Sequence, residues 1–241
     1  DTIEMLGDKV RARETAQKSG LPITPGSKGA ITTKEQAAET AKECGYPVII
    51  KAASGGGGKG MRIVWKEADL AENLSIASSE AEAIFADGTV YIEKYLSDPR
   101  HVELQVIGDG TGGVAILGER DCSVQRNHQK LIEESPSQAV SDAMYDAMCA
   151  GAQKLFSSLK YCGAGTIEFL VSGDQFYFME VNARVQVEHP VSEMVTGTDI
   201  IREQITVCTG GKMTLPDGVV PIKGWAIEAR INARTPGLIT N

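Results

Sequence analysis

Residues 166–182 read Thr-Ile-Glu-Phe-Leu-Val-Ser-Gly-Asp-Gln-Phe-Tyr-Phe-Met-Glu-Val-Asn, two strand-forming runs around a turn centred near Asp174. Symmetry about that turn sets Glu168 opposite Glu180. Two carboxylates facing one another across antiparallel strands hold their Cβ atoms about 5 Å apart and repel. A hard divalent cation relieves the repulsion, and Asn182, two residues further along the same strand face, offers another oxygen donor. Magnesium held together with nucleotide phosphates is the economical occupant, manganese its substitute. A shifted register, or neutralisation by nearby Arg and Lys, is the competing account. Continued extension past Asn182 puts Arg184, Gln186 and Glu188 on that face and Val181, Val185 and Val187 on the inner one, until His189-Pro190 ends the run. An arginine beside a metal-nucleotide site grips a small carboxylate-like anion bidentately, and Glu188 is placed to take a proton from it. A solvated polar face gives the same pattern.

Gly55, Gly57 and Gly60 satisfy G-x-G-x-x-G, but a strand follows the loop where a dinucleotide fold needs a helix N-terminus to hold a pyrophosphate. No Gly-Lys-Ser/Thr occurs either. A strand-loop-strand flap remains, whose consecutive glycines let backbone N–H groups approach triphosphate oxygens, with Lys51 and Lys59 supplying charge. A mobile surface loop is the alternative. The chain has neither His-Arg-Asp nor Asp-Phe-Gly, which sets protein kinases aside.

Three further groups are candidates. Gln125, Arg126, Asn127, His128, Gln129 and Lys130 crowd donors into an expected loop after a strand, suiting an anion or solvent alike. Glu93, Lys94, Tyr95 and Leu96 lie where two units meet and offer their backbone to a base edge, or form an ordinary interdomain strand. Glu228, Arg230 and Asn232 share one strand face, so that Arg230 points into a cleft or joins a surface ion pair. His101 begins a strand and is an ordinary strand histidine or a site residue.

These side chains need elements to carry them. Helix formers fill residues 8–19 up to Gly20 and Pro22, and Thr33 with Gln36 forms a capping box before an Ala-rich helix that Gly45-Tyr46-Pro47 ends. Strands are expected at 48–51, 61–65 and 89–96, with a helix at 68–85. A hairpin of 101–107 and 114–121, a helix at 141–159, strands at 165–171 and 175–182, a helix at 199–208 and a strand at 225–232 follow. The pattern is α+β, divided as a helical linker (1–21), a small flap-bearing unit (22–96) and a larger sheet unit (97–241).

Composition narrows the class. The 241 residues carry 24 Lys and Arg against 32 acidic residues, a formal charge of −8 that argues against nucleic acid or an anionic membrane as partner. No apolar run approaches the ~18 residues of a membrane span, and no signal pattern opens the chain. Five scattered cysteines without a Cys-x-x-Cys pair, and only three histidines, read as buried thiols of a reducing compartment, the cytoplasm, rather than a disulfide or zinc framework. The start at Asp1 and the stop just after an expected strand predict a piece of a longer protein.

Taken in series, Lys51-Ala-Ala-Ser-Gly-Gly-Gly-Gly-Lys-Gly-Met-Arg62, Glu93-Lys-Tyr-Leu96, Glu119-Arg-Asp-Cys-Ser-Val-Gln-Arg126, His128-Gln-Lys130 and Glu180-Val-Asn-Ala-Arg-Val-Gln-Val-Glu-His-Pro190 resemble the biotin carboxylases, in order and over nearly the whole chain. The Glu-Glu-Ser-Pro136 stretch is most like the biotin carboxylase component of acetyl-CoA carboxylase in fatty acid biosynthesis. The resemblance implies an ATP-grasp fold, a small glycine-flap lid and a larger antiparallel-sheet domain with ATP between them. It implies that Lys9 and Lys51 contact ATP phosphates, that Gly57 and Gly58 lie in the closing flap, and that Glu93, Lys94, Tyr95 and Leu96 hold adenine. His101, Gln125 and His128 are implied at the nucleotide site, and Glu168, Glu180 and Asn182 as magnesium ligands. Lys130, Arg184 and the Val187 backbone match the bicarbonate grip, Glu188 the base, and Arg230 the arginine that stabilises the biotin enolate.

The family joins bicarbonate to the γ-phosphate of ATP as carboxyphosphate, which releases CO2 beside biotin. Its partners are the biotin carboxyl carrier protein, carboxyltransferase subunits or domains, and a second copy in a homodimer. An N-terminal domain of roughly a hundred residues and the end of the C-terminal domain are missing by comparison. Asn127 stands where an arginine is usual, and Arg234-Thr235 where acidic residues are usual. Pyruvate, propionyl-CoA or urea carboxylase modules, a carboxylate-amine ligase and a non-catalytic ATP-binding module are the alternatives.

Overall fold

The computed structural model describes residues 2–7, 9–54, 60–127, 129–235 and 238–240. The expected flap residues Gly57 and Gly58, and His128, lie outside them, as does the side chain of Lys9. Along the chain the elements are α1 (Thr2–Gly7), α2 (Lys9–Lys18), α3 (Lys34–Cys44), β1 (Val48–Ala52), β2 (Met61–Val64), α4 (Leu70–Phe85), β3 (Val90–Lys94), β4 (Arg100–Asp109), β5 (Val114–Arg126) and β6 (Gln129–Ser135). They continue with α5 (Asp142–Ser158), β7 (Cys162–Ser172), β8 (Gln175–Asn182), α6 (His189–Thr196), α7 (Ile200–Cys208), β9 (Gly218–Val219), β10 (Ala226–Ala229), β11 (Asn232–Thr235) and β12 (Leu238–Thr240). Among the described residues no helix is long and apolar enough to cross a membrane.

Local chemistry sets the helix starts. Thr33 accepts the Gln36 N–H at 3.1 Å, and the Gln36 side chain bonds back to the Thr32 N–H at 3.0 Å, one residue earlier than a standard capping box. Ser141 caps α5 and Asp199 caps α7 by accepting the amides of Met144 and Arg202. Pro190 sits in the first turn of α6, where its missing N–H costs nothing, so His189-Pro190 begins a helix as it ends the extended run.

The chain divides into two compact units, residues 24–98 and residues 1–23 with 99–241. In the smaller, β1 lies between antiparallel β2 and β3. Val48, Ile50 and Ala52 alternate inward from β1 to pack with Ala37 and Ala41 of α3 and Leu74, Ala77 and Ala81 of α4. In the larger, seven strands form one sheet in the order β10-β6-β5-β4-β7-β8, with β9 parallel to β5 and the other pairings antiparallel. One face of β4, Val102, Leu104 and Val106, meets Ile167 and Phe169 of β7 and, from α5, Met148, Leu155 and Phe156. The opposite face carries Glu103 and Gln105 before Ile107 joins a second apolar cluster with Ile200 and Val207 of α7.

Three expectations need correction. The donor-rich stretch 125–130 is no loop: Gln125 and Arg126 end β5, Asn127 turns at φ 51°, and Gln129 and Lys130 start β6. The expected strand 225–232 is broken at Arg230, with β10 ending at Ala229 and β11 starting at Asn232. Past Asn182 the chain leaves the extended conformation, so Val187 is exposed at 54% instead of lining an inner face.

Close approach between β4 and β7 depends on Gly108, paired with Gly163. A Cβ on Gly108 would lie 2.2 Å from the Tyr161 carbonyl oxygen, a backbone atom that cannot rotate away. Gly108→Ala is expected to destabilise the protein by about 1–3 kcal/mol, as overpacking does; a lower urea midpoint at unchanged slope is the readout.

Candidate functional site

The strand registers of the large sheet draw charged residues into one transverse row. Glu180 of β8 pairs with Glu168 of β7, Glu168 with Glu103 of β4, and Glu103 with Arg120 of β5. Two irregularities make the row possible. The turn of the β7–β8 hairpin lies between Ser172 and Gln175, half a residue earlier than its expected centre, which alone would pair Glu168 with Met179. A bulge between Glu168 and Phe169 restores the Glu168–Glu180 pairing. A second shift, opposite Gln105 near Gly118, turns Arg120 to the face that Glu103 occupies.

Buried carboxylates in a row require cations, and two arrive. The Arg120 guanidinium, fully buried, donates to Glu103 Oε1 at 2.8 Å, to Gln105 Oε1 and Ser192 Oγ at 2.8 Å each, and to Gln186 Oε1 at 3.3 Å. Burial alone would lower its pKa, but Glu103 more than reverses this and raises it. Lys130 of β6 puts Nζ 2.5 Å from Glu103 Oε2, 2.9 Å from Glu168 Oε1 and 2.8 Å from Glu188 Oε1. Its three donors are matched by three carboxylates. Burial opposes that charge as well, and Glu103 and Glu168 overcome it, so the ammonium stays protonated.

Glu168 collects donors from four directions: His101 Nε2 at 2.7 Å, Lys130, Asn182 Nδ2 at 2.9 Å and Gln186 Nε2 at 3.1 Å. Burial would raise its carboxyl, but the His101 bond and Lys130 hold it well below the usual range. The Gln125 amide donates to His101 Nδ1 at 2.8 Å, which leaves the ring proton on Nε2, aimed at Glu168. Glu188 is 4% exposed at the start of α6; Lys130 outweighs its burial and lowers its pKa. Arg184 is exposed and donates to Asn182 Oδ1 at 3.2 Å and to the Val185 carbonyl at 3.3 Å.

Glu133 of β6 behaves in the opposite way. It pairs with Glu228 of β10, is 1% exposed, and its Oε2 is buried without a hydrogen-bond partner among the described residues. Burial, then Glu188 and Glu228, push its carboxyl up to about 7. Arg230 follows β10, half-buried, with its N–H on the Leu131 carbonyl at 2.8 Å.

The small unit holds the other candidates. Lys51 Nζ meets Glu93 Oε2 at 2.5 Å, Lys94 Nζ donates to the carbonyls of Gly45 and Tyr46, and Tyr95 packs edge-on against Trp65 before half-buried Leu96.

A divalent cation suits the hairpin by donor chemistry. Glu168, Glu180 and Asn182 offer hard oxygens from two adjacent strands, and Glu103, Glu168 and Glu188 already outnumber Lys130 and Arg120 by one negative charge. The residues that sequence reasoning missed are Glu103, Arg120 and Ser192. Their signal was present for Glu103: polar positions 103 and 105 alternate with Val102, Leu104 and Val106, a strand buried on both faces with charge on one.

A model of the family described as carbamoyl-phosphate synthase L chain, ATP binding domain, matches residues 8–215. Biotin carboxylase 1 of Bacillus subtilis is 51% identical over 238 residues, 98% of this chain and 53% of that protein. Pyruvate carboxylase of Staphylococcus aureus is 50% identical over 97% of this chain and 21% of its own length. Among solved structures, the biotin carboxylase β,γ-ATP complex from Campylobacter jejuni superposes with a TM-score of 0.88 at 48% identity, covering 95% of this chain and 52% of that one. The biotin carboxylase domain dimer of Hydrogenobacter thermophilus 2-oxoglutarate carboxylase, solved with MgADP, ADP and bicarbonate, does so at 0.87 and 43%, covering 97% and 52%. The chain spans about half the length of the biotin carboxylases it matches. The expected α+β class and ATP-grasp fold are borne out by these matches.

Glu133 generates a pH prediction. Its folded pKa lies above the unfolded value of about 4.3, so the stability it contributes is present below that value and is lost as pH rises through about 7. Glu133→Gln mimics the protonated form. The variant is expected to match the parent in urea midpoint at pH near 4 and to exceed it at pH near 8; a constant gap at both would refute the assignment.

Proposed function

Because the chain belongs to the carbamoyl-phosphate synthase L chain, ATP binding domain family, we propose that it is the ATP-grasp portion of a biotin carboxylase, which carboxylates carrier-bound biotin with bicarbonate and ATP. The observation that carries this reading is Lys130, whose ammonium joins the metal-type hairpin at Glu168 to the base candidate Glu188. A nucleotide-binding module with no acid–base task has no need of that link.

Magnesium, or manganese, held by Glu168, Glu180 and Asn182 supplies positive charge against the phosphate oxygens of ATP. Lys9, Lys51, His101, Gln125 and His128 serve the nucleotide, Gly57 and Gly58 cover it, and Glu93, Lys94, Tyr95 and Leu96 hold its base. Arg184, exposed beside Asn182, binds bicarbonate together with the Val187 backbone. Lys130 has no spare donor, so it reaches bicarbonate by releasing a carboxylate, and Glu188, carried on the loop before α6, is the one free to yield. That exchange has a chemical consequence. Glu188 loses the cation that lowers its pKa as the anion arrives, and becomes a stronger base when the proton must leave. Bicarbonate oxygen then attacks the γ-phosphate to give carboxyphosphate and ADP, and Arg230 meets the charge that develops on biotin.

The protein partners under this reading are the biotin carboxyl carrier protein and a carboxyltransferase, with a homodimer at full length and a cytoplasmic location. Acetyl-CoA is the eventual acceptor if the parent enzyme is acetyl-CoA carboxylase, whereas the similarity to pyruvate carboxylase supports the same half-reaction in that enzyme as the second reading.

The test is ADP release by the full-length protein with Mg-ATP and bicarbonate, with and without free biotin. Biotin-stimulated release that needs bicarbonate is expected; a protein that binds ATP and shows no stimulation sinks the proposal. Glu188→Gln is expected to leave ATP affinity nearly unchanged and to lower bicarbonate-dependent turnover ~10²-fold or more. Equal losses in both would remove Glu188 from the role of base.

A further inference from the structure

Cys162 opens β7 and Cys208 closes α7, the helix packed against that strand. Both are free and exposed, which corrects the expectation of buried thiols that Cys122 and Cys149 meet. Each sulfur lies against the other's chain neighbour. Cys162 Sγ is 3.8 Å from the carbonyl oxygen of Val207, and Cys208 Sγ is 3.3 Å from where a Cβ on Gly163 would stand. Gly163 adopts φ +107°, so it is glycine for its backbone as well as for the sulfur that fills its side-chain space. A Cβ on Gly110 would likewise lie 3.4 Å from Cys162 Sγ. Gly110 and Gly163 thus frame the pair. None of the nucleotide, metal or bicarbonate candidates lies among these residues.

We propose that Cys162 and Cys208 form a dithiol modification site that a low-molecular-weight disulfide oxidises to an intramolecular disulfide, clamping the end of α7 to the start of β7. One protein thiolate attacks a sulfur of the reagent disulfide, forming a mixed disulfide and expelling one reagent thiolate. The second protein thiolate attacks the protein sulfur of that mixed disulfide and expels the other. Two reagent thiols are produced, taking up the two protons that the cysteines gave up, and the protein pair is oxidised by two electrons. Burial and the Cys208 thiol hold the Cys162 thiol above its ordinary pKa, with Asp109 adding to the shift, so the reaction quickens as pH rises.

The full-length protein is incubated with oxidised glutathione at mildly alkaline pH, blocked with iodoacetamide and mapped by peptide mass spectrometry. A single Cys162–Cys208 cross-link, two hydrogens lighter than the separate peptides and reversed by dithiothreitol, is expected. Cys162→Ser and Cys208→Ser should each give a stable glutathione adduct on the remaining cysteine and no cross-link. Adducts on both cysteines of the parent without a cross-link, or no reaction at either, would overturn the proposal. So would the same mixture of pairings in native protein as in urea, since proximity in the fold is what selects the pair.

Discussion

Three carboxylates sharing one ammonium is the interaction on which the large unit is organised. At an effective dielectric near 20, each contact of Lys130 contributes on the order of 4 kcal/mol of attraction, while withdrawing each ion from water costs several kcal/mol. A lone pair at this depth would roughly break even. Glu103 tips the balance because Lys130 and Arg120 grip it from two sides, so the desolvation of one anion is shared between two cations. Arg120 then needs further acceptors, which Gln105, Gln186 and Ser192 supply, and the loop from Asn182 to α6 is thereby tied down onto the sheet. Neutralising one row of charge thus fixes the course of a segment that carries Arg184 and Glu188.

Two single-residue irregularities stand behind this row. Side chains alternate across a strand with period two, so a slip of one residue exchanges every buried charge for a buried apolar group. The bulge after Glu168 and the one near Gly118 each make such an exchange locally. The apolar alternation of Ile167 and Phe169 toward one layer and the charged alternation of Glu168 and Glu103 toward the other can therefore coexist on the same strands.

Much of this was legible in the residues. The helix cap at Thr33, the helices that start near Ser141 and Asp199, the hairpin, and the opposition of Glu168 to Glu180 follow from period and capping chemistry, which are local. The turn centre was misread by half a residue and the bulge compensated, so a correct pairing came from an incomplete geometry. Arg120 and Glu103 stayed hidden because seventeen residues and a bulge separate partners that meet only once β4 and β5 are aligned. The stretch 125–130 read as a loop because its polarity reports the site it lines and not exposure to water. Past Asn182, alternation of valines suggested extension, yet Gln186 and Glu188 are the buried ones, since hydrogen bonds to Arg120, Glu168 and Lys130 outweigh the burial of Val187.

The position of β4 at the middle of the seven-stranded sheet has a dynamic corollary. Its amides and those of β5 and β7 are covered on both sides by neighbouring strands, so they exchange with solvent through openings as costly as global unfolding. Glu103, Glu168 and His101 ride on that slowest-exchanging core. Arg184 and Val187 ride on backbone outside the ladders, held to the sheet by side-chain bonds of Gln186 and Ser192, which open by local fluctuations of lower free energy. The two halves of one charge cluster therefore keep different clocks: a scaffold that holds its shape for as long as the molecule stays folded, and contacts on its rim that re-form many times within that span.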